Sequence, residues 1–486
     1  MKILFLQVNY DSHIVCPPFN VGYLASALER QGHIVGLFDG TLHNAGEEDY
    51  LAAVESFRPD LIGISVFSRG HGKAKRLIAA LKRRCDVQTV IGGPQVTAMP
   101  EAVIEDIGAD FGVIGEGEET ICELASALVA AKGVFSGIDG LAYRQGNGRV
   151  VLNKPRGLIE NLDSIPYPAW HLMPPSDYWI VPILATAKSF PIAPIMTSRG
   201  CPFPCTFCAS NITWKFRVRY RSPENVIGEM RLLRDKYGVR EFLITDDNFT
   251  LNKNFAMSVC EGIIKEDLRV NWQCSNGVRV DSLSPELLRL MKKAGCYSVG
   301  LGIESGNQEI LDRAKKKLDL RKVRKTLGDL NEAGIKSYGF FIFGFPGETR
   351  SSVADTMEFA LSNRLDRAWF NIMTPYPGSE LFNDWIKKRS FKDIDWDRHD
   401  GSTADLDWCE LTGKELDDCQ RTAARRFYLR PRIIFDILLH MSGRQILTIF
   451  MTRFFRKYNK GIFELIHSRI RKKTTAPATA PQEARR

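Results

Sequence analysis

Short apolar runs and segments of helical spacing alternate in two long stretches of this chain. In the first, residues 1 to about 132, the apolar runs fall at 3–8, 34–38, 61–66, 89–91 and 112–114. Between them apolar residues stand three and four apart, as Val21, Leu24, Ala25 and Leu28 do before Gly32 ends the run. Comparable segments lie at 47–56, 74–84, 101–107 and 118–131. Five short apolar strands separated by helices predict an α/β unit with a doubly wound parallel sheet, flavodoxin- or Rossmann-like.

The second stretch, 191–395, repeats the pattern with apolar runs at 194–197, 241–245, 271–275, 297–303, 337–343 and 369–373. Ser222, Pro223 and Glu224 open a predicted helix over 223–237, and Gly295 and Gly334 close two more, over 284–294 and 321–333. This βα repetition predicts a partial or full barrel. A connector, 136–190, separates the two stretches. It holds a hairpin signal, Gly146-Asn147-Gly148, between 141–144 and 150–153, and a proline-broken aromatic run over 161–170 that should lie across the domain interface. The chain thus divides into 1–135, 136–190, 191–395 and a helical, basic region 396–486.

In both sheet types ligands sit beyond the carboxyl ends of the strands. In the first stretch those ends carry Asn9 to Cys16, Ser68-Arg69-Gly70, Gly92-Gly93-Pro94 and Gly115-Glu116-Gly117. Glycines there let a large ligand approach the backbone. In the second stretch they carry Asp246-Asp247-Asn248, Glu304-Ser305-Gly306 and Gly344-Phe345-Pro346-Gly347-Glu348. The adjacent carboxylates Asp246, Asp247 and Glu304 read as a solvated strand end rather than a hard-metal site.

Composition narrows the class. Of 486 residues, 44% are hydrophobic and 25% charged, ordinary for a globular protein. No run approaches the roughly 18–20 apolar residues of a membrane span, and the N-terminus shows no signal-peptide pattern. Eleven scattered cysteines do not suggest a disulfide framework. A cytoplasmic, reducing setting is expected. Residues 421–486 carry 16 Lys and Arg against 3 Asp and Glu, although the whole chain carries 66 against 57. The body is therefore near neutral, which argues against nucleic acid as a partner. Apolar segments 433–439 and 445–455, edged by Arg444, Arg453, Arg456 and Lys457, suit peripheral contact with an anionic membrane face. A helix pair packed on the barrel is the alternative. From Lys472 onward the composition predicts disorder.

The chemistry concentrates in Cys201-Pro202-Phe203-Pro204-Cys205-Thr206-Phe207-Cys208, a C-x3-C-x2-C run. Thiolates this close wrap one soft metal centre. Three ligands leave one iron of a four-iron cluster open, whereas structural zinc would want a fourth Cys or His nearby. The run, with an aromatic at Phe207 before the third Cys, resembles the radical S-adenosyl-L-methionine (radical SAM) family. That resemblance implies a [4Fe-4S] cluster on Cys201, Cys205 and Cys208, and reductive cleavage of S-adenosyl-L-methionine (SAM) to a 5'-deoxyadenosyl radical. It places Glu304 and Ser305 at the SAM ribose or amino group, Arg279 at its carboxylate and the 344–349 turn at its adenine.

Upstream, Pro18 to Ala25, Gly32 to Val35, Ile91-Gly92-Gly93-Pro94 and Ile114-Gly115-Glu116-Gly117-Glu118 resemble the cobalamin-binding domain of the cobalamin-dependent radical SAM class. That implies cobalamin against Gly92, Gly93, Gly115 and Gly117. His13, in Asp11-Ser12-His13, stands where some cobalamin domains place an axial ligand, but Cys16 replaces the expected glycine. His13 is either the cobalt ligand, oriented by Asp11, or a loop residue beside the corrin. The resemblance implies a methyltransferase acting on an unactivated carbon of a hydrophobic small molecule or lipid, with a flavodoxin or ferredoxin as electron donor. A ring-forming or rearranging enzyme of tetrapyrrole or lipid biosynthesis is the second reading, and a cobalamin or redox sensor the third. A methylthiotransferase would need further clustered cysteines, and Cys16, Cys85 and Cys122 are widely spaced.

Overall fold

The computed structural model describes residues 1–11, 15–130, 133–178, 187–399, 401 and 406–440. The first sheet contains β1 (Lys2–Gln7), β2 (Ile34–Asp39), β3 (Leu61–Ser65), β4 (Gln88–Gly92), β5 (Phe111–Val113), β6 (Leu141–Arg144) and β7 (Val150–Leu152). Its order is β2-β1-β3-β4-β5-β6-β7. The first five strands run parallel and the last two antiparallel. Because side chains alternate across a strand, Leu4 and Leu6 enter one apolar layer with Ile62 and Ile64, and Ile3 and Phe5 enter the opposite layer with Leu61 and Val90. Helices cover both layers, which is why these strands read as continuous apolar runs.

The hairpin at 141–152 departs from the expected connector. It extends the first sheet, with Val113 opposite Leu141 and Phe111 opposite Tyr143. An uncovered β5 would leave a row of unpaired backbone groups at the sheet edge, and the hairpin satisfies them while burying Leu141 and Ala142.

The second sheet contains β8 (Ile192–Ile195), β11 (Glu241–Ile244), β12 (Asn271–Val278), β13 (Cys296–Glu304), β14 (Lys336–Phe343) and β15 (Arg367–Ile372), in the order β15-β14-β13-β12-β11-β8. All its pairings are parallel, and β8 and β15 do not pair with each other. The barrel is therefore partial. A two-stranded ribbon, β9 (Ser198–Arg199) with β10 (Arg219–Tyr220), stands between β8 and β11 in sequence.

The helix Pro223–Tyr237 forms as its sequence predicts: the Ser222 hydroxyl accepts from Asn225 N at 3.1 Å, and Gly238 ends it with φ +68°. The helix Gly413–Tyr428 covers β15. Gln420 Nε2 donates to Phe370 O at 2.7 Å, and the Tyr428 hydroxyl donates to Ala368 O at 2.7 Å. The next helix, Pro431–His440, buries Ile433 but leaves Ile434, Phe435 and Leu439 exposed. The apolar segment 445–455 and the tail from Lys472 lie outside the described residues. Among the described residues no helix is long and apolar enough to cross a membrane.

Among the described residues the connector and the segment 391–399 each run between the sheets. The aromatic part of the connector crosses between them: Ala169 N donates to Gly22 O at 2.9 Å, the Tyr167 hydroxyl to Asn225 O at 2.9 Å, and Trp170 Nε1 to Glu229 Oε1 at 3.0 Å. Glu229 is buried and also takes Arg221 Nη1 at 2.5 Å. On the other side the segment 391–399 returns to the first sheet. Phe391 and Trp396 pack on His71, with ring centroids 5.5 and 5.7 Å away. Arg76 Nη2 pairs with Asp397 at 3.2 Å. His71 itself is buried, with hydrogen bonds to Gln95 and Asp106.

Candidate functional site

The cysteine run leaves β9 as a loop pinned at its base. Asp246, at the end of β11, accepts from Thr197 N at 2.7 Å, Thr197 Oγ1 at 2.5 Å and Ser198 Oγ at 2.5 Å. This corrects the solvated-strand-end reading of Asp246. The carboxylate is 3% exposed, and burial raises its pKa to about 6 despite those donors. Gly200 turns the chain into the loop with φ +104°. A Cβ there would lie 1.9 Å from Arg217 O, so only glycine fits. Farther along, Thr206 N donates to Ala314 O at 3.1 Å and Leu381 N to Thr206 O at 3.0 Å.

Cys201, Cys205 and Cys208 are all half-buried on this loop. Burial pushes all three thiols up, Cys208 to about 12, while the Lys316 ammonium pulls Cys205 back down. Among the described residues no three His, Cys, Asp or Glu side chains converge as ligands of one metal ion. Soft thiolates from one loop suit a cluster whose irons each take one sulfur.

Around the thiols stand Phe203, Phe207, Arg279, Glu304 and Lys316. Arg279 lies 3.8 Å from the Phe203 ring centroid. Its guanidinium donates to Asp281, to Lys316 O at 2.8 Å and to Lys317 O at 2.9 Å. Arg279 thus holds the 316–317 backbone in place. Glu304 sits at the end of β13 with φ +68° and pairs with Lys316 Nζ at 2.7 Å. Lys316 is buried, and Glu304 and Cys205 hold its ammonium protonated against the cost of desolvation. Phe207 meets Phe345 edge to face at 5.6 Å, beneath Lys316 Nζ at 5.8 Å. Trp408 closes this side: its Nε1 donates to Gly344 O at 2.9 Å, and Gly347 N donates to Trp408 O at 2.7 Å.

Ser305 stands apart from this group. It is fully buried, its hydroxyl shared with Thr356 at 3.0 Å and accepting from Asn307 N at 3.1 Å. Three buried polar atoms from segments bordering the loop have no partner among the described residues: Asn211 Oδ1, Asn248 Nδ2 and Glu348 Oε1. Glu348 Oε2 accepts from Gly344 N and from Phe345 N, the latter at 3.1 Å, and burial raises the carboxyl to about 7. Orphaned polar atoms, one buried ammonium and one carboxylate suit a ligand with its own amine, carboxylate and hydroxyls. Lys316 escaped sequence reading because Lys315-Lys316-Lys317 looks like a solvated charge run.

At the first sheet, Gly93 has φ +103°, and a Cβ on it would meet Val66 O at 2.9 Å. Gly115 has φ +81° with nothing within 4 Å of the Cβ position, an open cradle beside the backbone. Gly92 and Gly117 carry the same turns with ordinary φ. These strand ends leave room for a large flat ligand. His13 lies outside the described residues. Asp11, its candidate orienting group, pairs with Lys73.

The two strand-end regions meet through charged groups that sequence reading did not connect. Glu116 accepts from Arg199 Nη1 at 2.6 Å, Arg219 Nη1 at 2.6 Å and Ile159 N at 2.8 Å. Glu118 accepts from Arg199 Nη2 at 2.6 Å. All four charged side chains are buried.

Comparison with known proteins agrees with both halves. The radical SAM superfamily profile matches residues 195–360, and the B12 binding domain profile matches residues 6–125. An uncharacterised methyltransferase of Pyrococcus horikoshii is 35% identical over 449 residues, covering 90% of this chain and 95% of its own. An anaerobic magnesium-protoporphyrin IX monomethyl ester cyclase of Rubrivivax gelatinosus is 29% identical over 446 residues, covering 89% of this chain and 78% of its own. The structure of the radical SAM methyltransferase TsrM from Kitasatospora setae, with cobalamin and cluster bound, shares the fold at TM-score 0.69 and 18% identity. That match covers 97% of this chain and 99% of TsrM. The protein belongs to the cobalamin-dependent radical SAM family, whose cofactors are a 4Fe-4S cluster, SAM and cobalamin.

Proposed function

We propose that this protein is a radical SAM C-methyltransferase acting on an unactivated carbon of a hydrophobic small molecule or lipid. The observation that carries the reading is the pinning of the cysteine loop against the cobalamin-side turn through Glu116, beside a methyltransferase relative matched over nearly its whole length. Cys201, Cys205 and Cys208 would hold the cluster, and Gly92, Gly93, Gly115 and Gly117 would lie against cobalamin. When bound, the cluster supplies an electron to SAM and cobalamin relays a methyl group. Two SAM, two electrons and one C–H substrate give S-adenosylhomocysteine, methionine, 5'-deoxyadenosine and the methylated carbon.

The chain's own residues do the positioning. Lys316 and Glu304 offer one charge of each sign to the amino-acid end of SAM, and Arg279 fixes the backbone that carries Lys316. Phe207, Phe345 and Trp408 close one side against water. Ser305 supports the β13 turn from behind. The electrons come from a small donor protein such as a flavodoxin or ferredoxin.

The test uses anaerobically reconstituted protein given cobalamin, SAM and a strong reductant, with Cys205→Ala beside the wild type. S-adenosylhomocysteine and 5'-deoxyadenosine together, with deoxyadenosine lost in the variant, support methyl transfer. Deoxyadenosine alone shifts the assignment to the cyclase chemistry named for the Rubrivivax relative. Neither product from cluster-loaded protein points to a sensor.

Exposed Ile434, Phe435 and Leu439, with Arg425, Arg426 and Arg432 nearby, favour docking on an anionic bilayer. Phosphatidylglycerol vesicles should sediment the full chain at low salt, and Phe435→Glu should release it. Equal binding to phosphatidylcholine, or none to either, would remove the membrane from the account.

A further inference from the structure

Glu116 belongs to the cobalamin-side turn after β5, and both arginines that hold it belong to the ribbon that carries the cysteine loop. Arg199 and Arg219 face each other across that ribbon. Only Gly200 separates Arg199 from Cys201. Trp214 lies against both guanidiniums, at 5.8 and 5.6 Å, and Tyr23 lies against Arg199 at 5.4 Å. Arg219 Nη1 also donates to Ile159 O at 2.6 Å. Two carboxylates and two guanidiniums thus form a neutral set sealed from water. Each charge depends on the others, because an unpaired ion in such a place is heavily penalised.

The consequence is geometric. The turn that begins at Gly115 cannot shift without pulling on Arg199, and Arg199 cannot shift without moving Cys201. A packed ionic set of this kind has discrete arrangements rather than a continuum. We propose that Glu116, with Glu118, is a positioning residue that couples the two cofactor sites, so that cobalamin seated on the first sheet and the cluster held by the cysteine loop strengthen each other's binding. The proposal rests on the cofactor assignment above. Coupling between sites is reciprocal at equilibrium: the factor by which the cluster tightens cobalamin is the factor by which cobalamin favours the cluster-holding loop.

The experiment measures cobalamin affinity by equilibrium titration of the full chain, with the cluster assembled and with it removed by chelation. The rate at which a chelator strips iron is then followed with and without cobalamin. In the wild type the cluster should tighten cobalamin by about tenfold, within the usual range of site-to-site coupling, and cobalamin should slow iron loss. Glu116→Gln keeps the size of the side chain and removes its charge. It should still bind each cofactor, while the coupling factor falls below about twofold. Glu118→Gln, which removes one of the two charges facing Arg199, should fall between. A residue that only stabilised the fold would weaken both cofactors and leave their ratio unchanged.

Independent binding of the two cofactors by the wild type overturns the proposal whatever the variants do. Undiminished coupling in folded Glu116→Gln overturns the role of Glu116. If Glu116→Gln does not fold, the wild-type ratio and Glu118→Gln decide. A chain that takes up neither cofactor would instead refute the assignment beneath the proposal.

Discussion

The two sheets are both built around parallel strands and use their strand ends in different ways. At the first sheet the turns after β4 and β5 carry glycines, Gly115 faces open space, and the buried charge of Glu116 and Glu118 is tied to arginines of the other half. At the second, the corresponding ends are crowded with buried charge: Asp246, Arg279, Glu304 with Lys316, and Glu348. One surface receives a ligand by withdrawing side chains from the backbone. The other does so by placing charged groups that satisfy one another until a ligand arrives. A large flat ligand needs area, and glycine provides it. A small zwitterionic ligand needs fixed charges, and burial gives those charges their strength.

Substitutions can break this contrast in order of size. The largest effect is expected at Gly200, where the loop and the ionic set join. Gly200→Ala would force a Cβ to within 1.9 Å of Arg217 O at a positive φ. We expect an apparent loss of about 5 kcal/mol and failure to assemble the cluster, read by urea unfolding and by iron content. Near-normal iron loading in this variant would show that the loop is more pliant than described.

Next comes the buried ion pair Arg221–Glu229 on which the connector's Trp170 is seated. Glu229→Ala strands Arg221 and deprives Trp170 Nε1 of its acceptor. Breaking a buried pair by removing one partner costs about 3–5 kcal/mol, which denaturant midpoints should report.

Glu348 sharpens the comparison through pH. Burial disfavours the anion and pushes its carboxyl up to about 7, from the ordinary glutamate value of 4.5. A folded pKa raised above the unfolded one contributes stability that is complete below about 4.5 and is lost as pH rises through about 7. The shift corresponds to about 3 kcal/mol. Glu348→Gln should therefore unfold at higher denaturant than wild type at pH 8 and show no such advantage at pH 4. A parallel pH profile for the two proteins would place the ionised Glu348 in a friendlier setting than its burial implies.

The smallest effect on folding is expected at Gly115. Its Cβ position is open, so Gly115→Ala should cost only the backbone penalty of positive φ, about 1–2 kcal/mol. Cobalamin affinity should fall at least tenfold if the ligand lies on that backbone. Unchanged affinity would move the corrin away from this turn.

Much of this arrangement is legible in the residues themselves. The apolar runs foretell five strands of the first sheet and all six of the second, because buried parallel strands write their burial directly as hydrophobicity. Ser222-Pro223-Glu224 marks the start of a helix in the sequence alone, and Gly295 and Gly334 mark the ends of two more. Cys201, Cys205 and Cys208 declare their chemistry by spacing. Pairings between distant segments are not legible. Glu116 meets Arg199 across 83 positions and Arg219 across 103, and no local period encodes such a match. Lys316 is hidden for a different reason: a lysine in a charged run looks solvated unless the partner that buries it is known. Ser305 shows the converse, since its motif position suggests a ligand contact and its hydroxyl is instead tied to Thr356.

The return of residues 391–399 to the first sheet has a consequence for how the chain is made. Arg76 and Asp397, which join across that contact, are 321 positions apart. At roughly 5–20 residues per second of synthesis, the face around His71 emerges roughly a quarter of a minute to a minute before its aromatic cover. During that interval the first sheet can fold, but its His71 flank stays bare beside the ribosome. The last turn of the partial barrel is therefore also the lid of the first domain, and a truncated chain would leave that flank permanently open.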